Sequence, residues 1–327
     1  MKIAAPISSV QEVDMLLHFG ADELYCGIRT PEWDEHFGGK WWMNRRSPRG
    51  ANVGSWQDMQ TLVGKARSAG VAVHVTLNAP FYTEGSIRYL LRLTERLVNE
   101  LSVDGVIVSD LNFILRLARE DFPLRLHLSS LGACINSYTV EFYHSLGIRR
   151  IILPRQLTLS EIQEIVTHKT ADMEFEVFAV NDGCFFEEGF CQTLHALGGP
   201  FCLTNWAVEP RGAVIESDRL NQCLAELRDY LWYQNNCGSS FQEDGLPNGP
   251  CSLCWFGRFR DWGVTAVKIV GREASFFRKM RSLQLVKAVM DRTCQEAGCR
   301  EIEELARALR RTPEYCEKGY MCYFRDR

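Results

Sequence analysis

Thirteen of the 327 residues are cysteine, and five of these gather where two apolar runs border a long polar stretch. Cys184, Cys191 and Cys202 follow the run Glu174–Val180, and Cys251 and Cys254 form a Cys-x-x-Cys pair ahead of the run Ala266–Val270. Thiolates at the ends of buried strands are soft ligands, and soft ligands select iron–sulfur clusters or zinc. Gly183 and Gly189 give the loop between them the freedom to wrap a bulky centre. The wide spacing suits a cluster assembled from several loops, whereas a zinc ribbon would show two Cys-x-x-Cys pairs. The plainer alternative is that these thiols pack as small hydrophobes. Cys294, Cys299, Cys316 and Cys322, nearer the C-terminus, read as helix-packing and tail residues, with a separate metal as the alternative.

Other residue types add candidates. The segment Lys40–Arg49 interleaves Trp41 and Trp42 with Arg45, Arg46 and Arg49. Such a surface can stack planar rings and neutralise carboxylate or phosphate, or serve as a lid over a site. His74, His127 and Asp110 invite a hydrolytic reading, but both histidines fall inside apolar runs, where a core role is the commoner outcome. The chain has no Gly-x-Ser-x-Gly elbow, no His-Glu-x-x-His helix and no phosphate-binding Gly-rich loop.

These groups need a scaffold, and the hydrophobic pattern supplies one. Eight short apolar runs read as strands: Ile3–Ala5, Leu24–Gly27, Val71–Leu77, Gly105–Ser109, Arg125–Ser129, Arg150–Pro154, Glu174–Val180 and Ala266–Val270. Helix-like periodicity covers Val10–Phe19, Trp56–Ala69, Ile87–Leu101, Asn112–Glu120, Tyr138–Leu146, Leu159–His168, Asp218–Tyr233 and Arg278–Glu296. Thr158 and Ser160 precede one helix with Glu161 in its first turn, and Gly20, Gly70 and Gly147 close others. Strands and helices in alternation call for a parallel sheet covered on both faces. Eight such units fit an α/β fold of the (β/α)8 TIM-like barrel kind, with an open doubly wound sheet as the runner-up. The barrel spans residues 1–275, and residues 276–327 form a helical C-terminal extension packed on it. Two segments exceed a simple strand–helix loop: Ile28–Ser55, and Asn181–Asp218 with a further insertion at Cys237–Pro250.

In a barrel the reacting groups collect at the carboxyl ends of the strands. Those ends carry Pro6, Gly27, Asn78, Asp110, Ser129, Ser130, Arg155, the start of the cysteine loop, Gly271 and Arg272. Arg46, Asn78, Asp110, Arg155, Lys268 and Arg272 are the substrate-binding candidates; Cys184, Cys191, Cys202, Cys254 and Cys251 are the metal-binding ones.

Composition bounds the setting. A 46% hydrophobic chain of this length buries a large core, and a net charge of −4 argues against bulk phosphate contacts while allowing a local basic patch. No apolar run reaches the roughly 20 residues of a membrane span, and Met1–Pro6 does not resemble a secretory leader. A reducing cytoplasm is the compartment this implies, with cysteines as thiols or ligands rather than disulfides.

Several motifs resemble peptidase family U32, the collagenase-like peptidases. They are Gly20-Ala21-Asp22-Glu23-Leu24-Tyr25-Cys26-Gly27, Asp104–Asp110, His127-Leu128-Ser129 and Leu153-Pro154-Arg155-Gln156-Leu157. The most specific are Phe175–Phe178 running into Cys184 and Cys191, and Gly263-Val264 through Lys268-Ile269-Val270-Gly271-Arg272. Members of similar length, of the UbiU and UbiV type, bind a [4Fe–4S] cluster and support oxygen-independent hydroxylation of the ubiquinone ring. Longer members hydroxylate RNA bases with prephenate-linked chemistry. The resemblance implies a [4Fe–4S] cluster held by Cys184, Cys191 and Cys202, with Cys254 ahead of Cys251 and Cys237 as the fourth ligand. It departs from the family at Glu188-Gly189-Phe190-Cys191 and at Val270, which leaves the substrate open.

The expectation is an iron–sulfur, hydroxylase-like redox enzyme acting on a small aromatic, quinone-type or nucleobase substrate. A metal- or cysteine-dependent peptidase and a non-catalytic cluster subunit or sensor are the alternatives. Expected partners are a small-molecule substrate and a second U32-type subunit or another copy of the chain; nucleic acid is the weaker candidate.

Overall fold

A computed structural model describes residues 1–37, 41–46, 49–168, 172–181, 183–184, 188–190, 216–236, 241–319, 322–324 and 326, with the backbone alone for 229–236 and 318. Its centre is a closed barrel. Strands β1 (Lys2–Pro6), β2 (Glu23–Ile28), β4 (Ala72–Leu77), β5 (Gly105–Val108), β6 (Arg125–Leu128), β7 (Ile148–Ile152), β8 (Glu174–Val180) and β9 (Ala266–Ile269) pair in parallel, each with the next. The ring shuts because β1 pairs with both β2 and β9, Ala4 standing opposite Glu23 on one side and Lys268 on the other. All eight expected strands are these eight, and the open-sheet alternative falls with the closure.

A ninth, two-residue strand, β3 (Asn52–Val53), lies alongside the end of β2. Helices α1 (Val13–His18), α3 (Trp56–Ser68), α4 (Glu84–Asn99), α5 (Leu111–Leu117), α6 (Ser137–Ser145) and α7 (Leu159–Thr167) pack outside the ring. The helix expected to begin at Ile87 starts three residues earlier, because Thr83 caps it by accepting from Ser86 N–H. Its inner face buries Ile87, Leu90, Leu93 and Leu97 at helical spacing. Burial of each contributes roughly 1.5–3 kcal/mol. The long segment Ile28–Ser55 is not a bare loop: it contains α2 (Pro31–Phe37) as well as β3. Most of Asn181–Asp218 lies outside the described residues, and α8 (Ser217–Asn236) follows it.

Beyond Cys251–Cys254 the chain forms α9 (Phe256–Trp262) and returns through β9 to α10 (Phe276–Cys294), which packs on β1, β8 and β9. Helices α11 (Cys299–Arg310) and α12 (Pro313–Lys318) complete the extension. Its last described residues, 322–324 and 326, fold back over the barrel. The Tyr323 hydroxyl donates to the Asn181 carbonyl, and Asp326 accepts from Leu159 N–H at 2.9 Å at the start of α7. Among the described residues, no helix is long and apolar enough to cross a membrane.

The barrel interior is charged. Side chains on a strand alternate between faces, so Glu23 and Tyr25 share one side of β2, and Glu176 and Phe178 one side of β8. Arg150, 1% exposed, bonds Glu23 at 2.9 Å, Glu176 at 3.1 Å and Glu174 at 2.8 Å, and Lys268 bonds Glu176 at 2.8 Å. Buried charges persist only when paired in this way. Burial alone would raise Glu23, but Arg150 and His74 outweigh it and hold its carboxyl well below the usual range. The rings of His74 and His127 lie 4.3 Å apart, tilted at 47°, inside the same layer, and burial, with His74 and Arg150 nearby, keeps His127 far below the ordinary histidine value.

Candidate functional site at the barrel mouth

Above the balanced ionic layer the charge changes character. Arg272, just past β9 and 5% exposed, donates to Thr76 Oγ1 at 2.8 Å, Asn44 Oδ1 at 2.9 Å and Asn52 Oδ1 at 3.2 Å. None of these acceptors is charged. Burial pushes its pKa down to about 10; Tyr25 opposes that fall and Arg46 adds to it. Asn44 and Asn52 are themselves joined at 2.8 Å, so the long second loop is folded around this guanidinium. Arg46 lies half-buried beside it, and its pKa is also lowered, first by burial and, despite the opposing pull of exposed Glu273, by Arg155. Two arginines thus converge where the described carboxylate nearest in charge effect is solvent-exposed.

The other candidates occupy different stations. Lys268 lies deeper, paired with Glu176 and 3.7 Å over the Tyr25 ring. Asn78 is a strut, donating to Ser129 Oγ at 3.0 Å and accepting from Arg45 N–H at 3.4 Å. Asp110 caps α5: one oxygen accepts from Phe113 N–H at 2.7 Å and the other from Tyr82 N–H at 3.1 Å. Arg155 stacks 3.6 Å over Phe178 and pairs with the nearly buried Glu188, which holds its pKa up against the effect of burial.

Glu188 is a residue that motif reading noted only as a departure, and it is a hub. It also accepts from Ser130 Oγ at 3.0 Å and from Arg155 N–H at 3.1 Å, while its own N–H donates to Gln156 at 3.1 Å. Gly189 follows with φ +89°, and a Cβ there would sit 2.6 Å from Ala133 Cβ and 2.9 Å from Leu131 O. The loop bearing Cys184 is therefore seated against the ends of β6 and β7. Asn181 opens it at φ 73°, a conformation costly for most non-glycine residues. Its side chain donates to Ser282 Oγ at 3.1 Å and Val270 O at 3.3 Å.

Cys184 is exposed and close enough to Arg155 for its thiol to act on that guanidinium. A cation at this position favours the thiolate that metal ligation needs. Cys191, Cys202 and Cys237 lie outside the described residues. Cys251 is buried beside the end of β8, bridging Val180, and Cys254 is half-buried with Cys251, Arg307 and Cys316 as its electrostatic neighbours. Among the described residues, no three Cys, His, Asp or Glu side chains are grouped as a metal ion requires.

Beside the arginines opens a cleft of about 490 Å³, including the solvent it meets, lined by Trp33, Trp41, Trp42, Arg45, Phe81 and Tyr82. Trp41 and Phe81 meet edge to face at 5.6 Å and are both exposed. Tyr82 donates to Met43 O at 2.6 Å, tying the lid segment to the end of β4. Of the segment Lys40–Arg49, Trp41, Trp42 and Arg45 line this cleft, while Lys40, Ser47 and Pro48 lie outside the described residues.

A (β/α)8 barrel with a cationic mouth, an aromatic cleft and a cysteine loop after its seventh strand is the class these features define. The chain belongs to peptidase family U32, which it matches over residues 8–327. It is 29% identical over 192 residues to tRNA hydroxylation protein P of Escherichia coli K12, covering 58% of this chain and 38% of that protein. Against tRNA hydroxylation protein P1 of Bacillus subtilis 168 it is 23% identical over 307 residues, covering 90% and 64%. The solved U32 peptidase Mk0906 superposes with a TM-score of 0.44 at 17% identity, over 57% of this chain and 70% of that one. The chain thus spans about two fifths of the length of the E. coli relative.

Proposed function

We propose that the protein is a hydroxylase-like [4Fe–4S] enzyme whose mouth binds a planar aromatic substrate, a nucleobase or quinone-type ring, together with a carboxylate or similar anion. The observation that carries this reading is Arg272, a buried guanidinium held, among the described residues, by neutral oxygens beside Arg46 and the Trp41–Phe81 cleft. A buried cation without a paired anion is costly unless a ligand supplies the charge. The names of the E. coli and B. subtilis relatives, tRNA hydroxylation proteins, favour hydroxylation, against the protease and collagenase names that two other relatives carry. The donor set also fits a cluster: Cys184 stands beside a cation on a loop seated by Glu188 and Gly189, with Cys191 and Cys202 next along the chain. When bound, the cluster supplies one-electron chemistry and a soft Lewis acid. The chain's own residues fix the anion through Arg272 and Arg46, stack the ring on Trp41 and Phe81, and shield the site under the lid.

The test is anaerobic purification followed by iron and sulfide analysis, with metabolite and nucleoside mass spectrometry of a deletion strain. A brown protein bleached by Cys184→Ala, and one missing hydroxyl group restored by the wild-type gene but not by Arg272→Met, supports the reading. Colourless protein under strict anaerobiosis, or gelatin cleavage that survives metal removal, sinks it.

A further inference from the structure

We infer that Tyr323, brought from the far end of the chain, is a positioning residue of the mouth, whose hydroxyl fastens the entry of the cysteine loop against the segment 251–254. The loop leaves β8 through Asn181, which turns the chain with a φ of 73°. A residue keeps that conformation only where its surroundings fix it. Asn181 is fixed from three sides. Its N–H donates to Pro250 O at 2.9 Å, its side-chain amide donates to Ser282 and Val270, and its carbonyl accepts from the Tyr323 hydroxyl. Cys184 follows three residues later.

The hydroxyl is itself held in place. Cys251 pairs antiparallel with Val180 and parallel with Cys322, so the C-terminal strap lies outside the segment that borders the end of β8. Ser252 N–H donates to Ala179 O at 2.9 Å, and Tyr323 N–H donates to Cys251 O at 3.3 Å. Phe324, 4% exposed, anchors the strap in apolar surroundings, its ring meeting Trp255 edge to face at 6.3 Å and Phe259 at 5.9 Å. One tyrosine thus bonds through its backbone to the Cys-x-x-Cys segment and through its side chain to the loop that carries Cys184. Its ring also stands 6.1 Å from Phe178, over which Arg155 stacks at 3.6 Å. Packing on Phe178 needs only the ring; the hydroxyl is directed at the carbonyl of the strained turn. A buried tyrosine hydroxyl makes such a bond as a rule.

The clamp on the loop stands on the fold alone; its effect on a bound cluster rests on the proposed function. Hydrogen exchange with mass spectrometry compares full-length wild type with Tyr323→Phe, which keeps the ring and removes the hydroxyl. Peptides spanning residues 179–184 should exchange about fivefold faster in the variant, as the loss of one ordinary hydrogen bond allows. Peptides of β4 and β5 should keep their wild-type rates. Asp326→Ala, which frees the strap from α7 and leaves the hydroxyl in place, should leave residues 179–184 at the wild-type rate. Unchanged exchange there in Tyr323→Phe overturns the inference, as does acceleration spread evenly over the barrel, which would make Tyr323 a stabiliser of the fold and nothing more. Equal acceleration by Asp326→Ala would assign the effect to the strap as a whole and also overturn it. In protein that holds a cluster, Tyr323→Phe should shift the EPR g-values of the reduced state at equal iron content, since the groups that orient a ligand tune the metal. Identical signals overturn the inference too. Colourless protein sinks the cluster reading alone, and the exchange comparison then decides the role of Tyr323.

Discussion

Arg272 and Thr76 meet at 2.8 Å across the top of the barrel, the guanidinium from the end of β9 and the hydroxyl from β4. The Thr76 hydroxyl itself donates to Cys26 O at 3.0 Å, so its oxygen is oriented to accept from the arginine. Asn44 and Asn52 complete a cradle of neutral oxygens around the guanidinium.

Gly27 is the floor of that cradle, and its replacement tests it. A Cβ at this position would fall 1.8 Å from Asn52 Oδ1, 2.5 Å from Arg272 Nη1 and 2.7 Å from Asn44 Nδ2. Gly27→Ala therefore displaces the guanidinium while β2 keeps its pairings. Arg272→Lys replaces a planar fork by a point charge that cannot serve the same three oxygens. A hydrogen bond to a charged group contributes roughly 1.5–3 kcal/mol, so losing one that faces the ligand lowers hydroxylated product about tenfold or more at limiting substrate. Product is quantified by mass spectrometry in the complemented strain; wild-type levels from both variants would remove the cradle from the site.

Glu188 should matter more to the cysteine loop than any exposed residue in it. Glu188→Ala leaves Arg155 nearly buried without its carboxylate, a loss of roughly 3–5 kcal/mol, and also strips the Ser130 hydroxyl of its acceptor. Glu188→Gln keeps an oxygen for Ser130 and costs less. Urea unfolding under anaerobic conditions measures both, and iron content should fall in the same order. Equal midpoints for the two variants would mean the charge pair contributes nothing.

Much of the fold was legible because short apolar runs recur eight times with helix-like stretches between them, and Gly20, Gly70 and Gly147 close three of the helices. The mouth was legible only in part. Arg272 and Arg155 stand at strand ends, but the cradle around Arg272 joins residues separated by 196, 220 and 228 positions, which no local pattern encodes. The two-residue β3 leaves no periodicity to read. The ionic layer did leave a signal: Glu174 and Glu176 alternate with apolar residues in a strand buried on both faces, so they share one side. Asp110 shows the opposite case, a carboxylate at a strand end whose oxygens cap a helix. Tyr323 reaches the mouth from the far end of the chain with nothing in its flanking sequence to announce it.

The buried histidine gives the barrel a pH dependence above the carboxylate range. His127 titrates near 6.5 in an unfolded chain and well below that in the fold. Its contribution is therefore complete above about 6.5 and lost as pH falls, because the unfolded chain takes up a proton that the folded one does not. The slope approaches about 1.4 kcal/mol per pH unit for one such group. Between pH 7.5 and 5.5 the urea midpoint of wild type should drop, and His127→Gln should flatten that drop; equal slopes in the two proteins would rule the histidine out.

Arg150 tests the ionic layer as a whole, since one side chain satisfies three carboxylates inside the barrel. Arg150→Met leaves Glu23 with Lys2 at the rim and His74 at 3.4 Å, and leaves Glu176 with Lys268 alone. Breaking such an arrangement costs about 3–5 kcal/mol. The sign of its pH response then inverts. In wild type the Glu23 carboxyl is held low, so its contribution is present above about 4.3 and disappears on acidification. In the variant the opposing effect of burial, the largest acting on Glu23, is no longer outweighed by Arg150, so its folded pKa moves up. A raised carboxyl favours the fold below its unfolded value and loses that advantage as pH rises. The stability gap between the two proteins should therefore narrow from pH 8 to pH 5, and Glu23→Gln added to Arg150→Met should recover part of it at pH 8. A gap that stays constant across this range would show that the loss comes from packing rather than from unpaired charge.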